Sequence, residues 1–254
     1  VATSKGLHRQ EIHFDDESGL ITDVTAPTKG HTDYSYNDDF MLFAAMGDVH
    51  IHAREDVSQK HVYQEDYFSA STAALNGGLL HLCDMPNNPI PPVDDHSYKM
   101  KLQLSGKGLI PIIPYAGIGP ATRPLSFPVP YKAYMGPSVG ELYFKTNAEL
   151  AQVLAFYQGE NVSFHCEDPE VLDLHKNKST HFERRPLAAE VVATETSLEL
   201  TERFKLKTKL CHYSSEAGLN LIKKARKSGL DVSCEVTPQH LYFCEEELQQ
   251  KDHT

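Results

Sequence analysis

An α/β fold built on a parallel sheet is what this chain predicts, on three observations. Short apolar, β-rich runs recur with helical segments between them, the rhythm of successive βα units. Histidines and a lysine fall at or near the C-terminal ends of four of those runs, the edge at which parallel sheets assemble their sites. At 254 residues the chain is also long enough for one sizeable core.

The elements follow in order. Residues 46–52 read as the first strand and 63–76 as a helix closed by Gly77-Gly78, since glycine accepts the backbone of a helix C-terminus. Residues 79–84 form a second strand, 94–104 a helix and 109–115 a third strand. Between 117 and 130, four prolines without helical periodicity predict an extended loop where a helix is due. Residues 131–135 read as a fourth strand, 148–157 as a helix and 162–165 as a fifth strand, followed by a polar loop and a long helix over 187–204. Residues 208–212 form a sixth strand, 216–227 a helix opened by Ser214-Ser215, and 231–236 a seventh strand. Ahead of this body, 10–14 and 20–24 pattern as a small hairpin joined at 15–19. The expected division is a small β segment over 1–43 and an α/β body over 44–254.

Composition narrows the partners. A net charge of −11 repels nucleic acid and anionic membranes, so an anionic ligand needs a local cation. The sequence has neither an apolar run of bilayer-spanning length nor a leader pattern at its start. Five widely spaced cysteines, odd in number and without Cys-x-x-Cys, read as reduced thiols in a cytoplasmic protein.

Asp48-Val49-His50-Ile51-His52 ends the first strand. Histidines at i and i+2 on a strand face the same side, so both imidazoles can meet one cation. Lys132 lies on the fourth strand, His165 ends the fifth and His212 the sixth, while Asn87 follows the second. Four histidines and a lysine from four strands converge only where a sheet closes or nearly closes, which favours a barrel. Cys166 and Cys211 adjoin His165 and His212, and strand alternation assigns both to core packing on the opposite face.

These stretches, together with Asp84-Met85-Pro86-Asn87-Asn88-Pro89, Lys132-Ala133-Tyr134-Met135-Gly136-Pro137-Ser138, His165-Cys166-Glu167-Asp168, Arg185-Pro186-Leu187-Ala188-Ala189-Glu190, His212-Tyr213-Ser214 and Glu235-Val236-Thr237-Pro238-Gln239-His240, resemble dihydroorotase signatures in the family's order. The resemblance runs from about residue 7 to the end. It implies a (β/α)8 TIM-like barrel of the metal-dependent amidohydrolase type with a small N-terminal β segment. It implies two zinc ions, with His50 and His52 on one, His165 and His212 on the other, and a carboxylated Lys132 bridging them. A carbamate suits that place, because it is an anionic ligand where an ammonium would be repelled.

The activity so implied is the zinc-dependent interconversion of N-carbamoyl-L-aspartate and dihydroorotate in pyrimidine synthesis, with Arg54 and Asn87 binding the substrate carboxylate. Glu167 and Asp168 are expected either to orient His165 or to cap the following turn, and His240 to be structural. Homodimers are common in the family. The family's acid/base aspartate comes from an eighth strand, and no Asp-His-x-Pro of that kind follows the seventh strand here; Asp252-His253 comes too soon after His240. The barrel is therefore expected to lack its last strand, as part of a longer protein. An allantoinase- or hydantoinase-type enzyme and a non-catalytic dihydroorotase-like subunit are the alternatives.

Overall fold

Side-chain caps at the helix starts explain most of the boundaries in the computed structural model, which describes residues 1–137 and 142–244. Ser138 and the pair Asp252-His253 lie outside the described residues. The chain divides into two units, Val1–Gly47 and Asp48–Thr254. In the first, β1 (Ala2–Thr3) pairs antiparallel with β2 (Gly6–Leu7), and β3 (Glu11–Phe14) with β4 (Ile21–Thr25). Asp15 fixes the β3–β4 turn by accepting from Ser18 N at 2.8 Å, and Gly19 supplies the positive φ that completes it.

The larger unit alternates strand and helix. Its first strand is β5 (Met46–Ile51). Helix α1 (Tyr67–Asn76) starts later than the apolar pattern predicts, because Asp66 and Ser69 form a capping box that sets its first turn. Then come β6 (Leu79–Asp84) and α2 (Asp95–Ser105), the latter capped by Asp94. Of the expected third strand (109–115) only β7 (Ile112–Pro114) forms, and a further short strand, β8 (Ala116–Ile118), runs into the stretch expected as loop. At the joint, Tyr115 N donates to Asp84 O and Ala116 N to Pro130 O, so the chain changes neighbour at Tyr115. Residues 119–130 carry no helix or strand, and β9 (Tyr131–Tyr134) and α3 (Asn147–Leu154) follow.

After β10 (Asn161–His165) the predicted polar loop is largely helical, forming α4 (Pro169–His175) and α5 (His181–Arg184). Asp168 caps the first, with Pro169 at its opening position, and a Thr180–Glu183 capping box starts the second. These are helices made by local caps rather than by an apolar stripe, which is why periodicity misses them. The order ends with α6 (Leu187–Phe204), β11 (Lys207–Leu210), α7 (Glu216–Lys227), β12 (Val232–Cys234) and α8 (Pro238–Tyr242).

Two sheets form, β5-β6-β7 and β8-β9-β10-β11-β12, adjoining where the chain passes through Tyr115, with β6–β7 and every pairing from β8 to β12 parallel; the second is the larger sheet. Its outward residues, among them Tyr131, Ala133, Val162, Phe164 and Leu210, join α3, α6 and α7 in the main core. Leu82 packs with Tyr67, Ala70 and Ala74 of α1 in a second core. Alternation turns the intervening residues to the other face, where the register sets Gly117, Lys132, Ser163, Lys209 and Ser233 side by side. The sheet curls far enough that Lys209 Nζ reaches Val49 O at 3.2 Å, although no backbone pairing joins β12 to β5 among the described residues. No helix among the described residues is long and apolar enough to cross a membrane.

Candidate metal centre

The inner face gathers the predicted histidines and lysine. His50 and His52 project from β5 and the residues after it, with ring centroids 5.2 Å apart. His50 lies 5.6 Å from His212, and His212 lies 4.7 Å from His165, again between ring centroids. His165 Nδ1 and His212 Nε2 are 2.8 Å apart, so the two rings share a hydrogen bond. Tyr134 stands between Lys132 and His165, its ring 5.3 Å from Lys132 Nζ and 5.9 Å from the His165 ring. Five groups from four strands thus meet at one place.

Not all of them arrive as alternation predicts. On β11 and at the residue after it, Lys209 and Cys211 face inward, while Leu210 joins the main core. His212 enters only because the strand stops at Leu210 and its own backbone takes φ 37°, a conformation that costs a non-glycine residue about 1–3 kcal/mol. Glu235 Oε1 accepts from His212 N at 3.2 Å and helps hold that turn. Cys211 does pack among buried residues, with Met85 and Tyr115, but on the inner face rather than the opposite one: its Sγ lies with ligand atoms of His50 and Glu235, all within 4.8 Å of one another. Cys166 does pack outward, 3.9 Å from Ser197 Oγ on α6.

Glu235 is the residue that sequence reasoning left without a role. It bonds His50 Nδ1 and pairs with Lys209 Nζ at 2.7 Å, while Lys209 also reaches Tyr115 Oη at 3.1 Å. Its signals in the sequence were its place near the end of the predicted seventh strand and at the head of the Glu235-Val236-Thr237-Pro238 stretch. Glu167 accepts from His165 Nε2 at 2.7 Å and from Arg185, whereas the adjacent Asp168 caps α4. His240 is exposed, its ring 6.4 Å from His212.

Electrostatics prepare the rings as ligands. Burial, with the Arg54 guanidinium beside it, pushes His52 down to about 3, and burial followed by His165 pushes His212 down to about 3. Burial also lowers His50, against the pull of Glu235. All three are therefore neutral at physiological pH, the form in which imidazole binds metals. Burial alone would raise the Glu235 carboxyl, yet hydrogen bonds from His50 and Lys209 hold it far below the usual range.

Lys132 decides whether a metal pair fits. Its side chain is 1% exposed, and its Nζ has no hydrogen-bond partner. A buried amine left unpaired beside neutral imidazoles is costly, whereas a carbamate at that nitrogen would give cations two anionic oxygens. The donor set of four imidazoles, with Cys211 and Glu235 alongside, is one that zinc accepts.

The carboxylate-binding candidates sit at the rim. Asn87 is buried, its Oδ1 2.8 Å from His52 Nδ1, so it fixes that ring. Arg54 is half-buried, adopts φ 56°, and places NH1 3.5 Å from Asn87 O.

No family model matches the chain. Curated relatives include the dihydroorotase of Pyrococcus horikoshii, 30% identical over 254 residues, covering 96% of this chain and 55% of that protein. The dihydroorotase of Methanosphaera stadtmanae is 28% identical over 263 residues, covering 94% of this chain and 58% of that protein. The multifunctional protein CAD of Squalus acanthias is 26% identical over 98% of this chain, which matches 11% of that protein. The chain spans little more than half the length of the dihydroorotases it matches. Among solved structures, the L-hydantoinase (dihydropyrimidinase) of Arthrobacter aurescens superposes with TM-score 0.77 at 17% identity, over 99% of this chain and 59% of that one. The dihydropyrimidinase of Brevibacillus agri gives 0.74 at 20% identity, over 96% of this chain and 57% of that one. The sequence is similar to dihydroorotases over nearly its whole length, and its fold is that of the solved hydantoinases and dihydropyrimidinases.

Proposed function

We propose that the chain forms the metal-holding part of a dihydroorotase, on a (β/α)8 barrel whose first seven strands are those described above. The observation that carries this reading is the unpartnered Lys132 Nζ, 1% exposed, among four imidazoles. His50, His52, His165 and His212 would hold two zinc ions, with Lys132 as the bridging carbamate. Zinc held there would supply Lewis acidity to an amide carbonyl and activate water at neutral pH.

The other roles belong to the chain itself. Glu167 holds His165 through Nε2 and Asn87 holds His52 through Nδ1, which leaves His52 Nε2 for a ligand contact, while His165 Nδ1 would exchange its hydrogen bond with His212 Nε2 for one. Arg54 is a cation at the rim of a chain whose net charge is −11, which suits a small anionic substrate. Its planar guanidinium can bind a carboxylate through two parallel hydrogen bonds. That cation favours N-carbamoyl-L-aspartate and dihydroorotate over the carboxylate-free rings of a hydantoinase. With four of the cysteines present as thiols, the reducing cytoplasm is the compartment proposed.

The test is interconversion of carbamoyl-aspartate and dihydroorotate by the intact, zinc-loaded protein, beside hydantoin and allantoin. Turnover of the carboxylate-bearing pair alone supports the reading. Turnover of hydantoin or allantoin instead replaces it with the sister chemistry, and zinc bound without any turnover replaces it with a non-catalytic subunit.

A further inference from the structure

Away from the metal ligands, the fold buries a second set of charges that the proposed reaction does not use. Lys101, on α2, is 2% exposed, and its Nζ pairs with Asp84 Oδ2 at 2.8 Å. The same nitrogen donates to Glu55 O and to Asn88 Oδ1, both at 2.6 Å. Asp84 is fully buried; its Oδ1 accepts from Ala53 N at 2.9 Å and its Oδ2 from Tyr67 Oη at 2.8 Å. Ala53 and Glu55 are the two neighbours of Arg54, whose backbone sits at φ 56°. One carboxylate therefore holds the amide N–H of the residue before Arg54, and its partner ammonium holds the carbonyl of the residue after it. The ammonium also holds Asn88, beside the Asn87 whose carbonyl faces the Arg54 guanidinium.

The geometry points to the Asp84–Lys101 pair as a positioning device: it pins both flanks of Arg54 in a backbone state that arginine avoids, and so aims the guanidinium at the metal centre. A left-handed arginine relaxes unless its surroundings over-determine it, and these two bonds supply that constraint. The inference rests on the proposed reading of Arg54 as the substrate-carboxylate binder. Lys101 and Asp84 are placed as positioning residues, since neither touches the ligand site.

The test is a double-mutant cycle between Lys101→Met and Arg54→Ala in the intact protein. The readouts are dihydroorotate affinity by calorimetry and zinc content by elemental analysis. Lys101→Met is expected to weaken dihydroorotate roughly tenfold in the parent background and to change nothing further in the Arg54→Ala background, the signature of direct coupling. Zinc content is expected to stay at the parent value. If Lys101→Met fails to fold, Asp84→Asn/Lys101→Met carries the same cycle, because an amide at position 84 keeps an acceptor for Ala53 N without leaving a buried charge. Equal weakening in both backgrounds, or none in either, overturns the positioning role while leaving the substrate reading intact. If Arg54→Ala itself leaves dihydroorotate affinity unchanged, the substrate reading falls, and this inference with it.

Discussion

Arg54 offers the sharpest quantitative test, because its backbone and its side chain can be separated. Its φ of 56° costs an L-residue roughly 1–2 kcal/mol relative to right-handed backbone. Arg54→Ala keeps that strain and removes the guanidinium, whereas Arg54→Gly removes both. Glycine in turn costs about 0.4–1 kcal/mol through the freedom it adds to the unfolded chain. The guanidinium's bond to Asn87 O, 3.5 Å long, is lost equally in both variants and cancels. The glycine variant should therefore be more stable than the alanine variant by up to about 1.6 kcal/mol, read from urea unfolding at fixed zinc content. Both should lose dihydroorotate affinity to the same extent. Removing a hydrogen bond to a charged group is worth about 1.5–3 kcal/mol, or roughly 10- to 150-fold. An alanine variant more stable than the glycine variant would refute the claim that position 54 stores strain.

Three further outcomes follow from the same geometry. His165→Ala and His212→Ala should each lose zinc and activity together, and elemental analysis showing full zinc in either would remove that ring from the ligand set. Gly218→Ala should destabilise the protein by about 1–3 kcal/mol in urea melts, because its Cβ would fall 1.7 Å from Tyr213 Oη; an unchanged midpoint would mean that Tyr213 has room to move. In the metal-free protein, folded His52 and His212 take up protons only near pH 3, against 6.5 for the unperturbed ring. The unfolded chain thus holds more protons between those values. Stability is full above about pH 6.5 and falls as pH drops, by up to about 1.4 kcal/mol per pH unit for each ring. Urea midpoints from about pH 7.5 to 5.5 should show this slope, and His52→Gln/His212→Gln should flatten it; an unchanged slope in the double variant would contradict the assignment.

Much of the α/β body was legible because its signals are local and redundant. β6 ends where Asp84 ends the apolar run, and α6 and α7 keep their predicted bounds because Pro186 and Ser215 mark their starts. The helices α4 and α5 escaped notice because Asp168 and Thr180 make them from caps alone, with no apolar stripe to read. At the site, the i, i+2 spacing of His50 and His52 was informative, since strand geometry guarantees a shared face. The same rule misassigned the end of the sixth strand. His212 turns inward through a left-handed backbone, and Cys211 is the residue that alternation carries to the inner face. What Glu235 and Lys101 hold was illegible for another reason. Their meaning lies in partners remote in sequence, His50 for the first and the peptides around Arg54 for the second, and no local pattern encodes such a meeting.

Zinc per chain in the intact protein, compared with Lys132→Met, tests the central claim most directly. The account predicts two equivalents in the parent protein, and a fall below one when the buried amine is gone and no carbamate can form. A parent protein that takes up no zinc from excess, or a Lys132→Met variant that keeps both equivalents, would contradict it.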